Sequence, residues 1–200
     1  MSEFNWLHSD AMKWNGRYQT EGKKWQSSCP RQLLLAYADL LPGTGLALDA
    51  AAGVGVHGLF LAARGWHVIA LDISEVGLRL AREQALARGV CLETAVFDLN
   101  NPWLPANSFD VILNFRFLAR STFPVYRQAL KPGGWLLFET FVQVDDHVKY
   151  PDHYLKPGEL FTAFSDFDMV HMAQVAVRGQ GRGKMRQVEQ LVARKQAMFS

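Results

Sequence analysis

The sequence predicts a doubly wound α/β domain, a mainly parallel sheet with helices on both faces. Three observations predict it. Short apolar runs alternate with segments of helical period along most of the chain. The first of those runs leads into a turn that holds Gly53, Gly55 and Gly58. Successive runs also stop at a polar residue: Asp49, then Asp72, Asp98 and Asn114.

The elements follow in order. Residues 1–30 are polar and aromatic, with Trp6, Trp14, Tyr18 and Trp25, and read as an irregular arm with at most a short helix. Pro30 suits the first position of a helix. Leu33, Leu34, Ala36, Tyr37, Leu40 and Leu41 then recur at helical spacing until residues 42–45 stop it. Residues 45–50 form the first strand, 53–58 the glycine-rich turn and 58–64 a helix ended by Gly65. Residues 66–71 form the second strand. Ser74 is placed to cap a helix that runs to about Arg88 and stops at Gly89. Residues 90–97 read as the third strand, Pro102 and Pro105 mark a loop, and 109–113 read as the fourth strand. A helix over 121–130 ends at Lys131-Pro132-Gly133-Gly134, and 135–138 form the fifth strand. Residues 141–157 are polar and mixed, a short helix is expected over 157–164, and strands over 167–177 and 188–194 flank a basic, glycine-rich hairpin loop.

Two hundred residues suit one domain with a substantial core. At 49% hydrophobic and 20% charged residues, the chain is neither disordered nor fibrous. A net charge of +2 gives no electrostatic case for nucleic acid or an acidic membrane. Cys29 and Cys91 stand apart and read as reduced thiols. The N-terminus lacks the pattern of a secretory leader, and no apolar run approaches the ~20 residues that span a bilayer. A cytoplasmic protein is the expectation. It would be one domain over 1–200, with an arm or lid at 1–30, a cofactor-binding core at 45–140, and a substrate-side segment with a hairpin at 141–200.

The turn carries the chemistry. Residues 48–58 read LDAAAGVGVHG, which satisfies GxGxxG. A strand ends, glycines allow a tight turn, and a ligand can approach backbone N–H groups at a helix N-terminus. Asp72 ends the next strand 19 residues after Gly53, where a carboxylate can accept from two ribose hydroxyls. This much fits NAD and S-adenosylmethionine (SAM) equally. Asp49 favours a positively charged ligand group, such as the amine of a methionine moiety, over a pyrophosphate. Asp98 is placed to accept from an exocyclic adenine amine.

The order LDAAAGVG, IALDIS, AVFDLN, FDVILN and LKPGGWLLFE, over about residues 45–140, resembles class I SAM-dependent methyltransferases. That resemblance implies a Rossmann-like, seven-stranded sheet whose last strand is antiparallel, and SAM as cofactor. Trp14, Arg17, Tyr18, Gly22, Trp25 and Pro30, with ARGWHVIALDIS, GGWLLFETF and LKPGELFTAF, look most like the tellurite-resistance (TehB-like) and thiopurine methyltransferase branch. By that resemblance Asp49, Gly53 and Gly55 surround the methionine part of SAM. Ala51 and Ala52 stand where the family usually has glycine and often cysteine, and close backbone approach at Ala51 survives if its φ is negative. Asp72 matches the ribose acid, with Ile73 beside the adenine. Asp98 and Leu99 match the adenine-edge pair. Asn114 and Phe115 match the lip where methyl transfer occurs.

Trp14, Tyr18 and Trp25 fit either a lid over cofactor and substrate or ordinary packing of the arm. Arg116 fits either an anchor for an anionic substrate or a surface salt bridge. His147, Tyr150, His153 and Tyr154 lie in a segment expected to reach over the site, but without a fixed geometry they read as loop residues. His147 and His153 lack a third ligand, so no metal is expected. The basic stretch over 178–186 reads as a solvated hairpin. The fourth strand runs into NFRF and not into a DPPY- or NPPF-type tetrapeptide, which favours a small-molecule acceptor, a thiol, metalloid or similar. The sequence names no catalytic base. It leaves a monomer or homodimer open, and keeps two rivals: an NAD-dependent oxidoreductase and a non-catalytic SAM-binding regulator.

Overall fold

The computed structural model describes residues 8–144, 150–178 and 185–197. Its strands are Leu46–Ala50 (β1), His67–Asp72 (β2), Glu93–Val96 (β3), Phe109–Phe115 (β4), Leu130–Phe141 (β5), Asp168–Arg178 (β6) and Met185–Arg194 (β7). They form one seven-stranded sheet in the order β3-β2-β1-β4-β5-β7-β6. Strands β1 to β5 pair in parallel, and β7 runs antiparallel to both of its neighbours. The helices are Ser9–Gln26 (α1), Gln32–Tyr37 (α2), Val56–Ala62 (α3), Glu75–Arg88 (α4), Thr122–Ala129 (α5) and Glu159–Ala163 (α6).

The central strands are apolar on both faces because helices cover both. One layer packs Leu34, Leu59 and Leu78 against Val68, Val111 and Leu137. The other packs Tyr126, Leu160 and Phe164 against Leu48, Ile112 and Phe138. Alternate residues of one strand therefore serve opposite layers, as the two-residue period of a strand requires.

The structure differs from the sequence expectation in two places that matter. The arm is not irregular: α1 is a regular helix of 18 residues. Ala11, Trp14, Tyr18, Gly22 and Trp25 form a stripe at helical spacing, and the buried members Ala11, Tyr18 and Gly22 lie on it. Gly22 is small because Leu80 of α4 fills the space a Cβ would take there. The second difference is the length of β5. Phe109 pairs with Leu130, the register slips, and Val111 then pairs with Trp135. Residues 131–134 are thus an irregular stretch inside the strand, with Gly133 at φ +79° and tied to Lys195 beyond β7.

Candidate active site

The C-terminal ends of β1, β2, β3 and β4 open into a cavity of about 560 Å³. That is where open α/β sheets bind ligands, and the size falls in the usual range for such sites.

Its floor is the glycine-rich turn. Gly53 and Gly55 have φ of +56° and +74°, which glycine adopts freely. A Cβ at Gly53 would run into the Tyr18 hydroxyl, so α1 can lie across the turn only because residue 53 has no side chain. Gly55 faces away from the cavity and lets α3 approach Ala81 of α4. Ala51 also stands in the left-handed region, at φ +55°. The negative φ on which close approach was expected to depend is not what the chain adopts. An alanine there costs about 1–2 kcal/mol relative to a relaxed backbone.

The acids differ in role. Asp72 is buried and takes the Gly53 N–H on Oδ2 at 2.7 Å and the Ser74 N–H on Oδ1 at 2.8 Å. Each oxygen keeps a lone pair for a further donor. Burial raises its pKa to about 6, against the lowering effect of those N–H donors. Asp49 lies beneath the turn, outside the cavity wall, and accepts the Gly58 N–H at 2.7 Å. Burial raises its pKa to about 7, and the charge of Asp72 adds to that. Asp98 is half-buried on the wall, takes the Asn100 N–H at 2.9 Å and has His8 Nε2 at 3.8 Å.

Ile73, Phe97 and Leu99 give the apolar wall beside these acids, and Phe115 lines the far side. Asn114 turns the other way. It is fully buried, donates to the Phe117 carbonyl at 2.9 Å and accepts from the Tyr126 hydroxyl at 3.1 Å, so it supports the lip from behind. Trp14, Arg17, Tyr18 and Trp25 bring α1 to the cavity. The Trp25 ring meets Tyr18 edge-on at 5.2 Å, and the Arg17 guanidinium lies 4.7 Å from the centre of Trp25. Asn15 fastens α1 from below, accepting from Ser74 Oγ at 2.7 Å and from the Val76 N–H at 3.2 Å.

Residues 47–134 match the model of the family described as "Methyltransferase domain". That match spans under half of the chain, from β1 to the irregular stretch of β5. Among curated proteins the chain is 30% identical over 132 residues to phosphoethanolamine N-methyltransferase of Triticum aestivum, a match covering 63% of this chain and 24% of that protein. It is 32% identical over 126 residues to the ubiquinone/menaquinone biosynthesis C-methyltransferase UbiE of Burkholderia mallei, covering 58% of this chain and 50% of that one. The matched region thus spans a quarter to a half of those relatives. TehB of Haemophilus influenzae superposes with a TM-score of 0.74 at 18% identity, covering 90% of this chain and 67% of that chain. A SAM-dependent methyltransferase of Methanosarcina mazei superposes at 0.69 with 19% identity, over 85% of this chain and 100% of that one. At such identities these two likenesses concern the fold.

The cavity suits SAM on its own geometry. The Asp72 oxygens retain acceptor capacity, and apolar side chains flank Asp98 for a planar base. Sequence reasoning missed His57, Arg31 and Phe141, which also line it. His57 stacks on Phe115 at 4.4 Å between ring centres. Burial, then the charges of Arg31 and Arg116, lower its pKa to about 3, so it is a neutral imidazole. The position of His57 two residues past Gly55 is the signal that placed it at the mouth of α3. The segment expected to reach over the site does not do so in its described part. Tyr150, His153 and Tyr154 are absent from the cavity wall, and Arg120 anchors the segment elsewhere through the Asp152 and Tyr154 carbonyls at 3.1 and 2.9 Å. His147 lies outside the described residues, as do 179–184 of the basic stretch. Among the described residues no cluster of His, Cys, Asp or Glu could hold a metal, and no helix is long and apolar enough to cross a membrane.

Proposed function

We propose that the chain transfers a methyl group from SAM to a small-molecule acceptor. The observation that carries this reading is the arrangement of one cavity. The turn, Asp72 and Asp98 line it on the β1–β3 side, and Phe115, Arg116 and Phe117 line it on the β4 side, next to where a methionine moiety over the turn would end.

When bound, SAM supplies a methyl group on a sulfonium, which is already an excellent leaving group, and leaves as S-adenosylhomocysteine. The protein's part is to hold and exclude. Asp72 would take the ribose hydroxyls and Asp98 the adenine amine, and the methionine amine above the turn would favour the ionised form of Asp49. Tyr18, Trp14 and Trp25 close the cavity from α1, and their rings suit a neighbouring sulfonium. Ordering both reactants in a water-poor cleft supplies most of what a displacement at methyl needs. A thiolate acceptor needs no base from the protein. We further propose that a small-molecule acceptor, and not nucleic acid, fits a cavity of this size, and that the protein acts in the cytoplasm.

Calorimetric titration with SAM, S-adenosylhomocysteine and NAD tests the reading, with Asp72→Ala as control. Micromolar binding of both adenosyl ligands, lost in the variant, supports it. Binding of NAD alone overturns it in favour of an oxidoreductase. Turnover against a panel of small acceptors then separates an enzyme from a SAM-binding regulator.

A further inference from the structure

The unpaired charges of the cavity are unevenly placed, since Arg17 on the α1 side is paired with Glu21 at 3.5 Å. Asp10, Asp72 and Asp98 line the side made by α1 and the ends of β2 and β3. Arg31, Arg116, Arg178 and Arg186 line the side made by the start of α2, the end of β4 and the β6–β7 hairpin. Among the described residues no carboxylate lines that second side. Glu139 meets Arg116 Nη2 at 2.9 Å from beneath but is itself buried away from the cavity. Among the described residues Arg31, Arg178 and Arg186 make no ion pair.

Arg116 is the centre of this wall. Its backbone is held at φ +65°, a conformation an arginine rarely adopts. Its Nε and Nη1 are buried and have no hydrogen-bond partner among the described residues. A buried guanidinium with two unpartnered nitrogens is costly unless something accepts from them. The flat surfaces are next to it. Phe115, Phe117 and Phe141 line the same side, and the guanidiniums of Arg116 and Arg186 lie 4.8 and 5.1 Å from the centre of the Phe141 ring.

We propose that the acceptor is an organic acid with a flat apolar body, its carboxylate held by Arg116 with Arg31 and Arg186 and its body laid against Phe115, Phe117 and Phe141. This deepens the methyltransferase reading and rests on it. A planar carboxylate can take two parallel hydrogen bonds from a guanidinium, which fixes orientation as well as affinity. The carboxylate is the handle, and the nucleophilic atom elsewhere on the acceptor is thereby turned toward the cofactor side. His57 lines the same cavity as a neutral imidazole, so the arginines alone supply its positive charge on this side.

The test uses benzoate as a flat organic acid, benzamide as its neutral counterpart and inorganic phosphate as an anion without an apolar body. Each is titrated calorimetrically into the protein with and without S-adenosylhomocysteine. Benzoate is expected to bind saturably, and benzamide and phosphate at least about tenfold more weakly. Arg116→Gln and, separately, Arg31→Gln are each expected to weaken benzoate by about tenfold while S-adenosylhomocysteine binds as before. Arg31 has no ion pair among the described residues, so its replacement unpairs no buried carboxylate and keeps the test open if Arg116→Gln unfolds. Equal binding of benzoate and benzamide overturns the role of charge, equal binding of phosphate overturns the apolar body, and no saturable binding to either form overturns the proposal outright. Retained benzoate binding without any binding of S-adenosylhomocysteine overturns the methyltransferase reading alone.

Discussion

The Gly53 N–H donates to Asp72 Oδ2 at 2.7 Å, so the glycine-rich turn and the end of β2 are one mechanical unit. The other Asp72 oxygen takes the Ser74 N–H and fixes the start of α4. A single carboxylate thus orders the cavity floor and one helix N-terminus, and still faces the ligand space.

Burial makes the two floor acids pH-sensitive. Their folded pKa values, about 7 for Asp49 and about 6 for Asp72, lie above the ordinary 3.8. The folded state therefore holds these protons more tightly than the unfolded chain. The stability they contribute is fully present below about pH 3.8 and is lost as pH rises through 6 and then 7. Asp49→Asn keeps an acceptor for the Gly58 N–H without the charge. In urea denaturation it is expected to be more stable than the parent above about pH 7 and no more stable near pH 3.8, with a shallower slope between. A parent-like slope contradicts the assignment.

Ala51→Gly is expected to stabilise the protein. At φ +55° the methyl group is the strained feature, and glycine relieves about 1–2 kcal/mol while adding some unfolded-state entropy. The net expectation is a gain of about 0.5–1 kcal/mol in chemical denaturation, with S-adenosylhomocysteine bound at least as tightly. A loss of stability would show that the turn does not adopt this backbone in solution.

Gly53→Ala should act on α1 and not only on the turn. The new methyl meets the Tyr18 hydroxyl and also sits at a left-handed φ. A destabilisation of about 2 kcal/mol is expected, with faster amide exchange along α1. Adding Tyr18→Phe removes the colliding oxygen and should recover part of the loss, so a double-mutant cycle reads a coupling above about 0.5 kcal/mol. Strict additivity would mean that Tyr18 does not rest on the turn.

The glycine-rich turn and its acids were legible because their signals are local. A strand, a GxGxxG turn and an acid 19 residues on lie within one stretch of chain, and Ser74 caps α4 as its residue type predicts, accepting from the Gly77 N–H. Of the arginine wall only Arg116 was singled out, because Arg31, Arg116 and Arg186 come from three distant elements that only the fold brings together. In the arm, Gly16 and Gly22 argue against a helix by propensity, and the contact with α4 outweighs them. Asn114 ends its strand like the acids do, but strand alternation turns it toward Tyr126, while Phe115 faces the cavity.

Strand β7 is made last of the seven yet sits inside the sheet, between β5 and β6. During synthesis from the N-terminus, β5 must therefore wait as an open edge carrying Leu136, Leu137 and Phe138. The cofactor floor can form in that interval, whereas Arg186 reaches the cavity only with β7. On the proposed reading, a nascent chain would have its nucleoside side in place before its acceptor side, with β5 left as an exposed apolar edge that favours aggregation until β7 is made.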